Sequence, residues 1–229
     1  MEEIEFQRRK GLRRLRMSFD FRNQLVVAVP WNCSRAEAER FVESNRAWID
    51  RQRAKLAPVQ TLSEFLRSSS AISINGKRIA VEIRIVEAGA PLWIFDETRT
   101  EGLFHIPQQV DFEAALMTLF RKLAATVLAD RVKKLSHSHG FDPKQVTVRD
   151  QKSRWGSCSC RGTISLNWRL LLVSPAIQDY VILHELAHLT HMNHSPKFYA
   201  LLSRLDPNRE EHEAELSQES SRLMRVGRY

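Results

Sequence analysis

The stretch Val181-Ile182-Leu183-His184-Glu185-Leu186-Ala187-His188-Leu189-Thr190-His191-Met192-Asn193-His194 contains the pattern His-Glu-x-x-His. Side chains four residues apart share one face of a helix, so His184 and His188 can reach a single ion. Glu185 lies beside this pair, where its carboxylate can contact water without being a ligand. The apolar neighbours predict that the helix is buried, and buried histidines beside a buried glutamate need a partner. The stretch therefore predicts a metal-binding helix.

A third histidine follows the helix. His194 is too far along to share the helical face of His184 unless the chain turns. Asn193 favours a turn, and Ser195-Pro196 is typical of an N-cap and the first position of a new helix. Three histidines with one open coordination position are typical of catalytic zinc, so the leading hypothesis is one Zn²⁺ bound by His184, His188 and His194.

This constellation indicates a reaction class. Zinc with three neutral ligands keeps its full charge and lowers the pKa of bound water towards about 7. Glu185 is the expected general base, taking the proton of that water and passing it to a leaving amine. The expected reaction is peptide-bond hydrolysis, with a protein or peptide as substrate. The strand predicted at 163–167 is a candidate edge for an extended substrate.

Composition sets wider bounds. The chain has 229 residues and a formal charge of +8, and a basic run from Arg8 to Arg16 contains few acids. Such charge suits nucleic acid, but a solvated basic surface explains it equally well. Three cysteines do not make a disulfide framework, and neither a signal peptide nor an apolar run of about 18 residues is apparent. We expect a cytoplasmic protein with no membrane segment.

Periodicity predicts an α+β fold. The N-terminal region, residues 1–107, is expected to contain β-hairpins plus one helix, from Ser34 to about Leu56. One hairpin turns at Arg22-Asn23 and another at Asn75-Gly76. Residues 60–70 are predicted to be a connection. Residues 108–229 are expected to form the second domain, with helices on a small mixed sheet, a long helix from Asp111 to Ser138, and helix starts at Ser174 and Ser195.

Two motifs together resemble the YgjP-like metallopeptidases, a family related to the SprT-like and WLM groups of small zincins. The first is His184-Glu185-Leu186-Ala187-His188 with its continuation to Pro196, and the second is the upstream run from Gln151 to Cys158. The resemblance implies a compact zincin-like domain, zinc on the three histidines, and Glu185 as general base. It also implies that Arg154 lies close to the active-site sheet. Arg154, Asn167 and Tyr199 are candidates for contacts with substrate or transition state, and Tyr180 is a further candidate for oxyanion stabilisation.

Alternatives remain at the sequence level. His191 stands where metzincins carry glycine, which argues for a longer or different turn towards the third ligand. His191 is also a rival ligand itself, and a glutamate on a later helix could replace His194 as in gluzincins. The glutamates available for that role are Glu210, Glu211, Glu213 and Glu215. Two other functions compete: a nucleic-acid-associated protein with a SprT-like role on DNA-bound proteins, and a non-catalytic zinc-binding module.

Overall fold

The computed structural model describes residues 4–228 and divides them into two compact units. The first unit comprises residues 4–60 together with 227–228, and the second comprises residues 61–226. Each unit has its own buried apolar cluster. No helix within residues 4–228 has the length and apolar content that crossing a membrane requires.

The first unit is a three-stranded sheet with two helices. Its elements are β1 (Ile4–Arg9), β2 (Arg16–Phe19), β3 (Leu25–Pro30), α1 (Arg35–Ser44) and α2 (Arg46–Arg53). The predicted hairpin is confirmed, because β2 pairs antiparallel with β3, while β1 pairs parallel with the other side of β3. The helix predicted from Ser34 is two helices, since Asn45 interrupts it and its side-chain amide donates to the carbonyl of Phe41.

The second unit begins with a helix that the sequence analysis missed. Thr61 and Glu64 form a capping box that starts α3 (Leu62–Ser69), where a connection had been predicted. A four-stranded mixed sheet follows, in the spatial order β4-β5-β7-β6. Its strands are β4 (Ala71–Ile74), β5 (Lys77–Val86), β6 (Leu92–Asp96) and β7 (Glu101–Pro107). The Asn75-Gly76 hairpin between β4 and β5 is confirmed, and both turn residues have positive φ.

The rest of the second unit carries the histidines. The long helix α4 (Phe112–His139) has Asp111 as N-cap and Gly140 in the left-handed conformation at its end, close to the predicted bounds. A second small mixed sheet and three helices follow. They are β8 (Gln145–Arg149), β9 (Gly156–Cys158), β10 (Thr163–Asn167), α5 (Pro175–Ala187), α6 (Pro196–Leu205) and α7 (Arg209–Leu223), with a 3₁₀ turn at Trp168–Leu171 between β10 and α5.

The division between the units differs from the predicted boundary at 107/108. The Phe104 ring of β7 lies 5.9 Å from Phe120 of α4, which lies 5.6 Å from Trp168 beyond β10. All three side chains are fully buried. Because the four-stranded sheet shares this core with α4 and α5, it belongs to the second unit and not to an N-terminal region. The α+β class is confirmed, but the region before residue 107 contains three helices, not one.

The position of β10 is a second correction. The sheet order is β8-β10-β9, with β8 parallel and β9 antiparallel to β10. Both edges of β10 are therefore paired, so residues 163–167 cannot accept an added strand. Within the described residues, β9 pairs on one side only. The strand that offers an edge beside α5 is therefore β9 and not β10.

Candidate metal centre

The helix α5 presents two of the predicted residues. Ser174 caps it by accepting a hydrogen bond from the Ile177 amide, and Pro175 occupies the first turn. The helix is apolar over most of its circumference and is correspondingly buried. His184 in its last turn and His188 at its C-cap are both partly exposed, and their ring centroids lie 5.1 Å apart. The spacing of four residues thus places both imidazoles on the same open face.

A turn and a new helix bring in His194. The helix α5 ends at Ala187, and Ser195 caps α6 by accepting a hydrogen bond from the Phe198 amide. Phe198 is fully buried, and its ring centroid lies 4.6–5.0 Å from those of all three imidazoles. One aromatic ring therefore supports the whole triad. Sequence spacing gives no signal for Phe198, because its contact with three histidines depends on two helices and the turn between them.

The three imidazoles offer a compact donor set. One ring nitrogen from each of His184, His188 and His194 lies within 4.8 Å of the other two, and Nε2 of His184 is 3.1 Å from Nε2 of His194. Nitrogens around a tetrahedral zinc ion are roughly 3.3 Å apart, so the observed spacing is compatible with such an ion. His188 Nδ1 is 3.0 Å from the carbonyl oxygen of His191, and donating to it leaves Nε2 as the free lone pair. The residues present fit a metal ion.

The rival ligands are not part of this group. Among residues 4–228, the cluster able to hold a metal contains His184, His188 and His194, without His191 and without a glutamate from 210–215. His191 contributes its backbone instead, because its carbonyl orients the imidazole of His188. His137 and His139 lie in the last turn of α4 and are not part of the cluster either.

Glu185 occupies space that is open because Gly156 has no side chain. It is 6% exposed, and its Oε2 has no hydrogen-bond partner among the described residues. A Cβ atom at Gly156 of β9 would lie 2.5 Å from Glu185 Oε1 and 2.6 Å from Cγ. The carboxylate therefore packs directly on the backbone of the edge strand.

Burial dominates the electrostatics of the cluster. Desolvation raises the pKa of Glu185 to about 8, and the charge of Arg154 acts in the opposite direction. Desolvation, followed by the neighbouring imidazoles His188 and His194, lowers the pKa of His184 to about 4. Burial likewise lowers the pKa of His188. Two of the three imidazoles are thus biased towards the neutral form that binds metal.

The loop before β9 holds Arg154 beside Glu185. Arg154 is exposed and lines the same cavity as Glu185 and His184. The Asn167 amide nitrogen donates to the carbonyls of Gln151 and Arg154, and the Trp155 indole N–H donates to Ser220 Oγ of α7. Asn167 is 0% exposed, so it does not reach the cavity surface. The predicted substrate contact by Asn167 is corrected to a role in fixing this loop.

The family described as "YgjP-like, metallopeptidase domain" matches residues 13–219, which is most of the chain. The chain belongs to the YgjP-like metallopeptidase family. It is therefore a peptidase that depends on a metal ion and acts on protein or peptide substrates. None of the curated proteins matches the chain significantly.

One solved structure similar to this YgjP-like chain is the metallopeptidase zymogen abylysin of Pyrococcus abyssi. The two are 25% identical, with a TM-score of 0.38, over 42% of this chain and 96% of the abylysin chain.

Tyr180 is a wall residue of the cavity in this metallopeptidase. The cavity has a volume of about 390 Å³ and lies between α5, β9 and α7. Tyr180 is 5% exposed, and its ring stands edge-on to His184 at 6.1 Å. No hydrogen bond occupies its hydroxyl within residues 4–228. Burial, followed by the charge of Glu213 on α7, raises its pKa, so the hydroxyl stays protonated and can donate.

Tyr199 lies beside His194. Its ring is 6.0 Å from that of His194, and the guanidinium of Arg209 lies 5.2 Å above it. Tyr199 is 36% exposed. It does not line the cavity of Glu185, although its position beside His194 keeps it at the rim of the metal centre.

Proposed function

We propose that this chain hydrolyses peptide bonds with one zinc ion held by His184, His188 and His194, and with Glu185 as the general base. The observation that supports the proposal most strongly is the convergence of three imidazole nitrogens beside a buried carboxylate that has an unsatisfied oxygen. Zinc in such a site supplies Lewis-acid chemistry, lowering the pKa of water towards about 7 and polarising a carbonyl.

Glu185 is suited to moving a proton in both directions. Its pKa of about 8 in the chain alone is near neutrality, and the positive charges of Arg154 and of an ion held by the triad both lower it. The carboxylate can therefore accept a proton at Oε2 from water and release it to the leaving amine within one cycle. Its packing on Gly156 fixes the carboxylate before substrate arrives.

An extended peptide is the substrate form that the site favours. The free edge of β9 offers backbone groups to such a chain, and Gly156 places that edge against the general base. Strand addition holds the peptide by its main chain, which suits unfolded segments of varied sequence. Arg154, at the mouth of the cavity, is a candidate for contact with a substrate carbonyl or carboxylate.

Tyr180 is the candidate donor to the oxyanion. Its hydroxyl is protonated, has no competing hydrogen bond within residues 4–228, and belongs to a side chain lining the cavity shared by His184 and Glu185. A fixed donor costs no reorganisation when negative charge develops on the substrate oxygen. Tyr199 is the second candidate, at the His194 side.

Metal analysis combined with cleavage of an unfolded protein tests the proposal. Glu185→Gln should retain zinc and lose cleavage, whereas His194→Ala should lose zinc. Glu211→Ala, which removes a glutamate of α7 outside the cluster, is the matched control and should keep both zinc and cleavage. Full zinc in His194→Ala would refute the ligand assignment, and undiminished cleavage by Glu185→Gln would refute the general base.

A further inference from the structure

The chain topology of the first unit collects a basic run at one end of its sheet. β1 runs parallel to β3, so both strands end together, with Arg9 opposite Pro30. β2 runs antiparallel to β3 and begins at Arg16, opposite Ala28, close to that same end. The segment 10–15 therefore passes across the end of β3. The residues of this run are thereby brought together around the end of β3.

The gathered surface is strongly cationic. All of its six basic residues are exposed, and none forms an ion pair with a carboxylate of residues 4–228. They are Arg8, Arg9, Lys10, Arg13, Arg14 and Arg16. The acids of the strand region, Glu5 and Asp20, lie towards the opposite end of the sheet, where β1 begins and β2 ends. We call this surface the basic end.

Trp31 lies at the basic end. It directly follows β3, and Arg8 Nη1 donates to its backbone carbonyl at 2.5 Å. Its side chain is 69% exposed, the largest exposure of any big apolar residue in the described chain. The other large apolar side chains of this unit are at least partly buried, including Phe6, Phe19 and Phe41. The basic end thus has one accessible aromatic ring and no apolar face around it.

We propose that the basic end binds single-stranded nucleic acid, with Trp31 stacking on a base and the surrounding cations contacting phosphates. A flat ring within a cationic surface is the combination that single-strand binding uses, because every base has a face to stack on and every nucleotide a phosphate. Five of the six cations are arginines, whose planar guanidinium groups match phosphate oxygens in pairs. This site belongs to the first unit, whereas the metal centre belongs to the second.

Two other partners fit less well. Insertion into a membrane needs a continuous apolar face, whereas the basic end exposes a single indole. An acidic peptide would satisfy the arginines but would give the indole ring no base to stack on. Duplex nucleic acid would likewise keep its bases stacked within the helix, out of reach of Trp31.

Fluorescence anisotropy of a labelled oligothymidylate with the full chain tests the proposal. Trp31→Ala should weaken binding about 5- to 150-fold, the range expected from losing one stacked base, without changing the salt slope. Arg13→Gln/Arg14→Gln should lower the slope of log affinity against log salt by about 1.4, since each phosphate contact on a single strand contributes about 0.7.

Matched controls separate a site from general charge. Lys133→Gln/Lys134→Gln removes the same charge from exposed positions of α4 in the second unit and should leave both affinity and slope unchanged. The proposal would be overturned if Trp31→Ala bound oligothymidylate with unchanged affinity. It would also be overturned if the lysine variant lost as much affinity as the arginine variant. Binding of polyglutamate or anionic lipid vesicles as tight as that of the oligonucleotide would overturn it in favour of those partners. Peptide cleavage by Trp31→Ala should remain intact, so this test is distinct from that of the peptidase.

Discussion

Gly156→Ala should impair catalysis by displacing the carboxylate of Glu185, although Glu185 itself is not substituted. Gly156 has an ordinary negative-φ backbone, so alanine does not strain the strand itself. The new methyl group would lie 2.5 Å from Glu185 Oε1, 2.6 Å from Cγ and 2.8 Å from Cδ. Because the side-chain stem clashes as well as its tip, rotating the carboxylate alone cannot relieve the overlap.

The size of the effect follows from these distances. Ordinary van der Waals contact begins near 3.4 Å, so Glu185 or the β9 backbone must shift by about 0.9 Å, the difference between 3.4 and 2.5 Å. A misplacement of about 1 Å can lower a rate about 100-fold, equivalent to about 2.7 kcal/mol of transition-state stabilisation. Overpacking should also lower the free energy of unfolding by about 1–3 kcal/mol.

Steady-state cleavage of a fluorogenic unfolded protein gives kcat and KM, and metal analysis gives zinc content. The expected result is a kcat lower by about 100-fold with zinc retained, since a 1 Å shift of the base leaves the three histidines in place. Ser157→Ala, the next residue of β9, is the control and should keep most of the activity.

A double-mutant cycle on stability tests the contact without using catalysis. In a Glu185→Ala background the methyl group added by Gly156→Ala has no carboxylate to displace, so the destabilisation caused by that substitution should largely disappear. Undiminished kcat in Gly156→Ala, or equal destabilisation in both backgrounds, would refute the reasoning.

Three further predictions concern residues around the triad. Tyr180→Phe should lower kcat by about 100- to 1,000-fold at constant zinc content, as expected for one lost oxyanion donor, and a change no larger than that in Tyr199→Phe would contradict the assignment. Phe198→Ala should lower the free energy of unfolding by about 3–5 kcal/mol and weaken zinc binding, because the Phe198 ring supports all three imidazoles. Calorimetry of the holoprotein and the apoprotein measures the stability and the zinc affinity, and an unchanged zinc affinity would contradict the prediction. The metal-free Glu185→Gln variant should lose stability as pH falls from about 6.5 to about 4, because the folded state disfavours a proton on His184 that the unfolded chain accepts. The glutamine removes the opposing contribution of Glu185, whose raised pKa makes the folded state gain stability over the same window. Denaturant titrations in chelator measure this, and a stability of the variant that rises on acidification over that window would refute it.

Local sequence signals accounted for much of the site. The spacing of His184 and His188, the caps at Ser174 and Ser195, and the Asn75-Gly76 turn are properties of a few adjacent residues, and the structure has them where the sequence predicts. Spacing along one helix is fixed by its 3.6-residue turn, so no distant contact is needed to infer it. For the same reason the α+β class and the bounds of α4 followed from periodicity.

Other features depended on contacts between distant residues. The sequence predicted β10 as an edge, but pairing with β8 and β9 makes it central, because strand order is decided by the whole sheet. The boundary expected at 107/108 moved to 60/61 once the core was seen to join Phe104 to Phe120 and Trp168. Asn167 looked available in a strand and is buried behind the loop that it holds.

The sequence by itself determined which side chains could bind metal, since residue type and helical spacing set that chemistry. Only the tertiary structure decided that His194 meets the other two histidines over Phe198, and that Gly156 leaves room for Glu185. It also turned a basic run into a surface around Trp31, through the opposite directions of β1 and β2. Each of these depends on chain segments brought together by packing, whose distances are not encoded in any single stretch of residues.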